Sequence, residues 1–160
     1  MLTVPPPTWH WVPPASRTWG AEAADVAALA GFAPDPAQRI ILDAVFSVDH
    51  RGRTIARDAC IAAPRQNVKT GALKQMALGW LYATPWLQTI IWSAHETATA
   101  LIAFRELEEL ICSCRDLERE LKAIHRSKGS ECIELQNPAR RLEFRARTSD
   151  GGRGWTAERF

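Results

Sequence analysis

Apolar and polar positions change their spacing several times along the 160-residue chain, and each change predicts an element. Trp9 and Trp11 sit among five of the ten prolines within residues 1–17, a pattern that favours extended, polyproline-like backbone and predicts an arm. Thr18 is placed to cap an Ala-rich helix closed by Gly31, and Asp35-Pro36 supplies the N-cap and first-turn proline of a second helix. That helix carries Ile40, Ile41, Ala44 and Val45 at helical spacing. Asp49-His50-Arg51-Gly52 reads as a turn, and the apolar run Ala59–Ala63 as a short buried strand. Leu73, Met76, Ala77 and Trp80 recur at three and four, predicting an amphipathic helix over Lys69–Tyr82 that Thr84-Pro85 ends. Gln88–Ala94 is β-branched and aromatic, hence a strand, and His95–Cys112 is a long helix rich in Ala, Leu and Glu. A charged helix is expected over 115–125, then strands at Glu131–Leu135 and Arg141–Arg145 joined by Asn137-Pro138. Strands alternating with helices predict an α/β fold with a parallel sheet.

Composition narrows the classes. With 46% hydrophobic and 24% charged residues the chain has a real core, which excludes intrinsic disorder. A net charge of +2 excludes bulk attraction to a polyanion, so any nucleic-acid site is local. Cys60, Cys112, Cys114 and Cys132 follow no zinc spacing and are too sparse for a disulfide scaffold, which predicts free thiols in a reducing cytoplasm. The start lacks a basic segment and is broken by prolines, so it is no signal peptide, and no run of about 18 apolar residues predicts a membrane span.

The candidate chemistry lies between the Ala59–Ala63 run and the helix at Lys69. Ala63-Pro64-Arg65-Gln66-Asn67-Val68-Lys69-Thr70 aligns with the phosphate-binding pattern GxxxxGK[ST], matching at Lys69-Thr70 and replacing both glycines. Such a loop needs N–H groups converging on phosphate oxygens, a lysine for the β and γ phosphates and a hydroxyl on Mg2+. Read alone, the octet is equally a surface loop before a helix with an incidental Lys-Thr.

Pro36–Leu42 (PAQRIIL), this octet, Ser93–Glu96 (SAHE) and Gly151–Thr156 (GGRGWT), in that order, resemble the large terminase subunits of tailed bacteriophages, including those of prophages. Members of that family package DNA with an N-terminal ATPase joined to a metal-dependent nuclease. The resemblance implies an incomplete RecA-like P-loop NTPase sheet with flanking helices: residues 1–34 as Pro/Trp-rich arm and short helix, and 35–160 as the N-terminal part of the ATPase domain. It implies ATP and Mg2+ as cofactors. Gln38 would read the adenine edge, Arg65, Gln66, Asn67 and Val68 would form the loop, and Lys69 would grip phosphate. Thr70 would face Mg2+ as an indirect metal contact, and Arg153 would serve as an arginine finger toward a neighbouring subunit. Val68 stands where the family's loop has glycine and is expected at negative φ, its side chain turned from the phosphates.

Blander readings stand beside these: Gln38 as a solvated first-turn residue, Arg65 as a solvated loop charge, Arg153 as part of a flexible turn. His95-Glu96 is a general base only if the pair does more than start a helix, and the helix start is the expectation. Arg140, Arg141, Arg145 and Arg147 are expected as solvated charge split between strand faces, and Trp80, Trp86 and Trp92 as core. The implied partners are double-stranded phage DNA, the portal protein, the small terminase subunit and further copies in a ring, all in the host cytoplasm and without membrane. Phe160 falls before the family's Walker B strand, so this stretch is expected to bind phosphate and, alone, to be aggregation-prone and turn over negligible ATP. Two other readings remain open: another P-loop motor such as a helicase, and a non-enzymatic module using the Pro/Trp arm.

Overall fold

The computed structural model describes residues 10–12, 14–56, 58–63, 69–84, 86–137 and 139–146, which belong to two compact units, Met1–Ala83 and Thr84–Phe160. Expectations for residues 1–9, for Arg65, Gln66, Asn67 and Val68, and for Arg147 and Arg153 lie outside the described residues.

In the first unit, strand β1 (Arg17–Thr18) pairs antiparallel with β2 (Ser47–Val48) and brings the chain beside helix α1 (Gly20–Leu29). The N-cap of α1 is Trp19 rather than the expected Thr18 and makes no side-chain cap, while the Thr18 hydroxyl just before it accepts from the Gly20 N–H at 3.0 Å and donates to the Asp43 carbonyl at 2.7 Å. Gly31, at φ 72°, takes the left-handed conformation that ends the helix. Helix α2 (Pro36–Val45) opens with a full capping box, Asp35 accepting from the Gln38 N–H at 2.8 Å and the Gln38 side chain accepting from the Asp35 N–H at 2.9 Å. The Asp49 turn forms as expected, its carboxylate accepting from the N–H groups of Arg51 and Arg53, with Arg53 the larger influence holding that carboxyl below its usual range.

Helix α3 (Lys69–Tyr82) packs on α1 and α2 around Ala23, Ala24, Leu42, Val45, Phe46 and Met76. Small residues set the closeness of these crossings. A Cβ on Gly79 would stand 2.5 Å from the Ala23 Cβ and 2.7 Å from the Phe46 ring, and one on Gly20 would stand 2.6 Å from the Asp43 Cα. Two expectations are corrected here. Residues 59–63 form no strand: Ala59, Cys60 and Ala62 are exposed, and the run has no paired neighbour among the described residues, without which an apolar segment has no ladder to join. Leu73 is 42% exposed, because the arc of α3 that faces its neighbours runs through Ala72, Gln75, Met76 and Gly79.

The second unit is a four-stranded mixed sheet in the order β3-β6-β5-β4, with helix α4 (Thr97–Ser113) against β3 (Thr89–Ala94) and β6 (Arg140–Ala146). The parallel sheet expected from the sequence is limited to β3 and β6: β5 (Cys132–Leu135) runs antiparallel to both β6 and β4 (Leu121–His125). A short connection such as 136–139 permits only an antiparallel return. The charged helix expected over 115–125 stops after one turn, α5 (Arg115–Glu118), and becomes β4, because pairing with β5 outweighs the helical propensity of Leu121, Lys122 and Ala123. Register puts Ile90, Leu142, Ile133 and Ile124 side by side across all four strands. Phe104 of α4 meets Phe144 edge-on at 5.1 Å, and Trp92 lies beside the same ring.

Strand alternation splits the arginines of β6 as expected, but their solvation differs. Arg141 and Arg145 both pair with Glu143, at 3.1 and 2.8 Å, whereas Arg140 is 5% exposed rather than solvated. Trp80 and Trp92 are half-buried, while Trp86 is exposed against expectation. Lys122 lies 3.1 Å from Glu134 and holds its carboxyl below the usual range. All four cysteines are free thiols, and no helix among the described residues is long and apolar enough to cross a membrane.

Two outcomes follow from this packing. Gly79→Val forces α1 and α3 apart and lowers stability by about 1–3 kcal/mol in urea unfolding, whereas an unchanged midpoint would contradict the close crossing. Burial, with Glu134 and Glu143 nearby, pushes the Cys132 thiol up to about 11, so iodoacetamide at pH 8 labels exposed Cys60 while Cys132 stays unmodified until the protein is unfolded.

Candidate functional site

Lys69 and Thr70 are the first two residues of α3, Lys69 half-buried and Thr70 exposed. The opening N–H groups of a helix have no partner within it and point along its axis, where the helix dipole favours an anion. An ammonium, a hydroxyl and these N–H groups together form a set of donors suited to phosphate.

Gln38 is placed beside that turn. A Cβ on Gly71, the residue after Thr70, would sit 2.5 Å from the Gln38 Nε2 and 3.5 Å from the Phe32 ring, so only glycine lets the amide lie there undisturbed. The Gln38 Oε1 is fully engaged, accepting from the Asp35 N–H at 2.9 Å and from the Gln75 Nε2 at 3.0 Å. Gln75 is 0% exposed and also donates to the Phe32 carbonyl at 3.2 Å, while Lys74 holds its Nζ 5.0 Å above the Phe32 ring. The loop after α1, the N-terminus of α2 and the first two turns of α3 are thereby joined at one place.

Of the residues expected at the site, the structure places Gln38 beside Gly71, the residue that follows Lys69 and Thr70. Sequence reasoning missed Gln75, Gly71 and Phe32. A signal for Gln75 was present, since a glutamine flanked by Ala72 and Met76 on the core side of a helix must find partners once buried. Gly71 carried none that spacing alone reveals.

In the second unit Ser93 and Ala94 end β3, and His95 and Glu96 follow it, both exposed. Glu96 occupies the N-cap position of α4 with extended backbone and no capping hydrogen bond from its side chain, in keeping with the helix-start reading. Among the described residues no cluster of three or more His, Cys, Asp or Glu is placed to hold a metal ion.

No protein-family model matches the chain, and no curated protein matches it significantly. Among solved structures it is similar to the large terminase of bacteriophage HK97, with a TM-score of 0.62 and 20% identity over 87% of this chain. The chain spans 29% of the length of that terminase. The two proteins share a mixed α/β fold over that stretch.

Asp35→Ala removes the acceptor that starts α2 and costs about 1 kcal/mol in denaturant unfolding, while Asp35→Asn retains most of it. Equal losses in both variants would contradict the capping role.

Proposed function

We propose that this chain is the nucleotide-gripping part of a phage large terminase, the ATP-driven motor that packages double-stranded DNA. The observation that carries this reading is the placement of Gln38 against the turn that Lys69-Thr70 opens, three residues 31 and 32 positions apart whose joint presence fits base and phosphate of one nucleotide. The fold shared with the HK97 protein and the order of the four sequence landmarks support it.

Under this proposal Lys69 places its ammonium on the β and γ phosphates, the opening N–H groups of α3 hold their oxygens, and Thr70 orients its hydroxyl toward Mg2+. Bound Mg2+ supplies charge neutralisation to the phosphates. Arg65, Gln66, Asn67 and Val68 complete the cradle, within a RecA-like P-loop arrangement, and Arg153 reaches a neighbouring subunit in a homo-oligomeric ring. The groups on α3 fit the ligand, since the Lys69 ammonium and the opening N–H groups offer positive charge and hydrogens to phosphate and the Thr70 hydroxyl offers an oxygen lone pair to a cation. Hydrolysis, DNA translocation and docking to portal protein and small terminase subunit belong in this reading to the whole motor.

Lys69→Ala is expected to weaken binding of a fluorescent ATP analogue at least tenfold, about 1.4 kcal/mol, with an unchanged circular dichroism spectrum and melting temperature. Wild-type affinity in that variant would remove the assignment.

A further inference from the structure

We propose that the turn at residues 49–53, together with Arg17 of β1, is a surface that holds the backbone phosphates of DNA through the guanidinium groups of Arg17 and Arg51. Resting on the reading above for its choice of DNA among polyanions, this surface shares no residue with the Lys69-Thr70 turn.

The small ladder of the first unit places the two arginines. Arg17 stands opposite Val48 in the pairing of β1 with β2, and Thr54 bridges antiparallel to Val48 from the other side, which brings the turn between them round toward β1. Gly52, at φ 76°, makes that turn between Arg51 and Arg53 and donates its N–H to the Asp49 carbonyl at 2.9 Å. The Arg17 guanidinium is held at two points: its Cζ lies 5.4 Å from the centre of the Trp19 ring, and its Nη2 lies 3.4 Å from where a Cβ on Gly52 would stand. Arg17 therefore meets the turn beside Arg51, although the two are 34 positions apart in sequence.

The carboxylate of the turn does not neutralise them. Asp49 accepts from the N–H groups of Arg51 and Arg53 and from the Arg53 Nε at 2.9 Å, and its charge is matched by the Arg53 guanidinium. Arg17 and Arg51 are exposed, and neither side chain pairs with a carboxylate among the described residues. Elsewhere Arg39, Arg119, Lys122, Arg126, Arg141 and Arg145 are each paired with one. Two unmatched positive charges thus sit at one turn of a chain whose formal charge is +2. A guanidinium fork bonds phosphate through two parallel hydrogens. A nucleic-acid strand presents that group at every step whatever its sequence, and Gly52, without a side chain, lets a backbone approach closely. An acidic peptide has to supply its carboxylates in register.

The experiment titrates the full chain against a labelled DNA duplex by fluorescence anisotropy between about 20 and 200 mM salt, with a glutamate oligomer as competitor. Each phosphate contact contributes about −0.9 to the slope of log affinity against log salt, so Arg17→Gln combined with Arg51→Gln is expected to make the slope shallower by about 1.8. Arg119→Gln, which removes a cation paired with Asp116, is expected to leave it unchanged. If the double variant does not fold, Arg51→Gln alone, in an exposed turn, is expected to shift the slope by about 0.9. The surface is overturned by an unchanged slope in a folded variant, by an equal shift in Arg119→Gln, by absence of duplex binding at the lowest salt, or by a glutamate oligomer that displaces the duplex as well as unlabelled DNA does. A fluorescent ATP analogue is expected to bind the double variant as it binds wild type. Failure of the duplex with the analogue still bound overturns this surface alone, and failure of the analogue with the salt slope intact overturns the nucleotide grip alone.

Discussion

A buried glutamine holds the candidate site in place. Gln75 sits at 0% exposure among Ala72, Met76 and Leu78 of α3, where an amide without partners costs about 1–3 kcal/mol. Its Nε2 meets that demand through the Phe32 carbonyl and the Gln38 Oε1, each bond crossing to a different part of the chain, while its Oε1 is buried without a partner among the described residues. Helix α3 cannot slide along α2 without breaking both. The spacing between the cap of α2 and the Lys69-Thr70 turn is thus set by hydrogen bonds, whose directionality apolar packing does not provide. Gly79 against Ala23 then fixes how closely α3 crosses α1 further along.

The second unit separates its chemistry by sheet face. The row Ile90, Leu142, Ile133 and Ile124 and the rings of Phe104 and Phe144 hold α4 to one side. Along the strands, Glu143 between Arg141 and Arg145, and Glu134 near Lys122 and His125, point the other way. Glu143 is matched by two guanidinium groups and Glu134 by the Lys122 ammonium with the His125 ring nearby, so this face carries paired charge rather than a continuous basic stripe. Such pairs near solvent contribute little to stability individually, and their consequence here is to leave β6 without the phosphate-binding surface that its arginines suggest in isolation.

Elements with local signals were legible. Asp35-Pro36, Gly31, the Asp49 turn and the β-branched run before Ala94 each depend on nearby residues, and all form as read. What the chain pairs with at a distance was not legible. Ala59–Ala63 has strand composition but no ladder, β4 was hidden in a charged stretch whose strand identity comes from β5, and sheet direction depended on how 136–139 returns. At the site, Lys69 and Thr70 were readable from a motif and Gln38 from a resemblance. Gln75 and Gly71 act through contacts 33 or more residues away in sequence, which spacing does not encode.

The central claim is that a nucleotide is held where α2 and α3 meet. Amide hydrogen exchange of the full chain, with and without ATP and Mg2+, tests it most directly because it reports location independently of any substitution. The account predicts added protection in peptides covering residues 35–41 and 69–76, with 115–135 unchanged. Protection absent from both of the first segments at saturating ATP, or confined to the second unit, would contradict it.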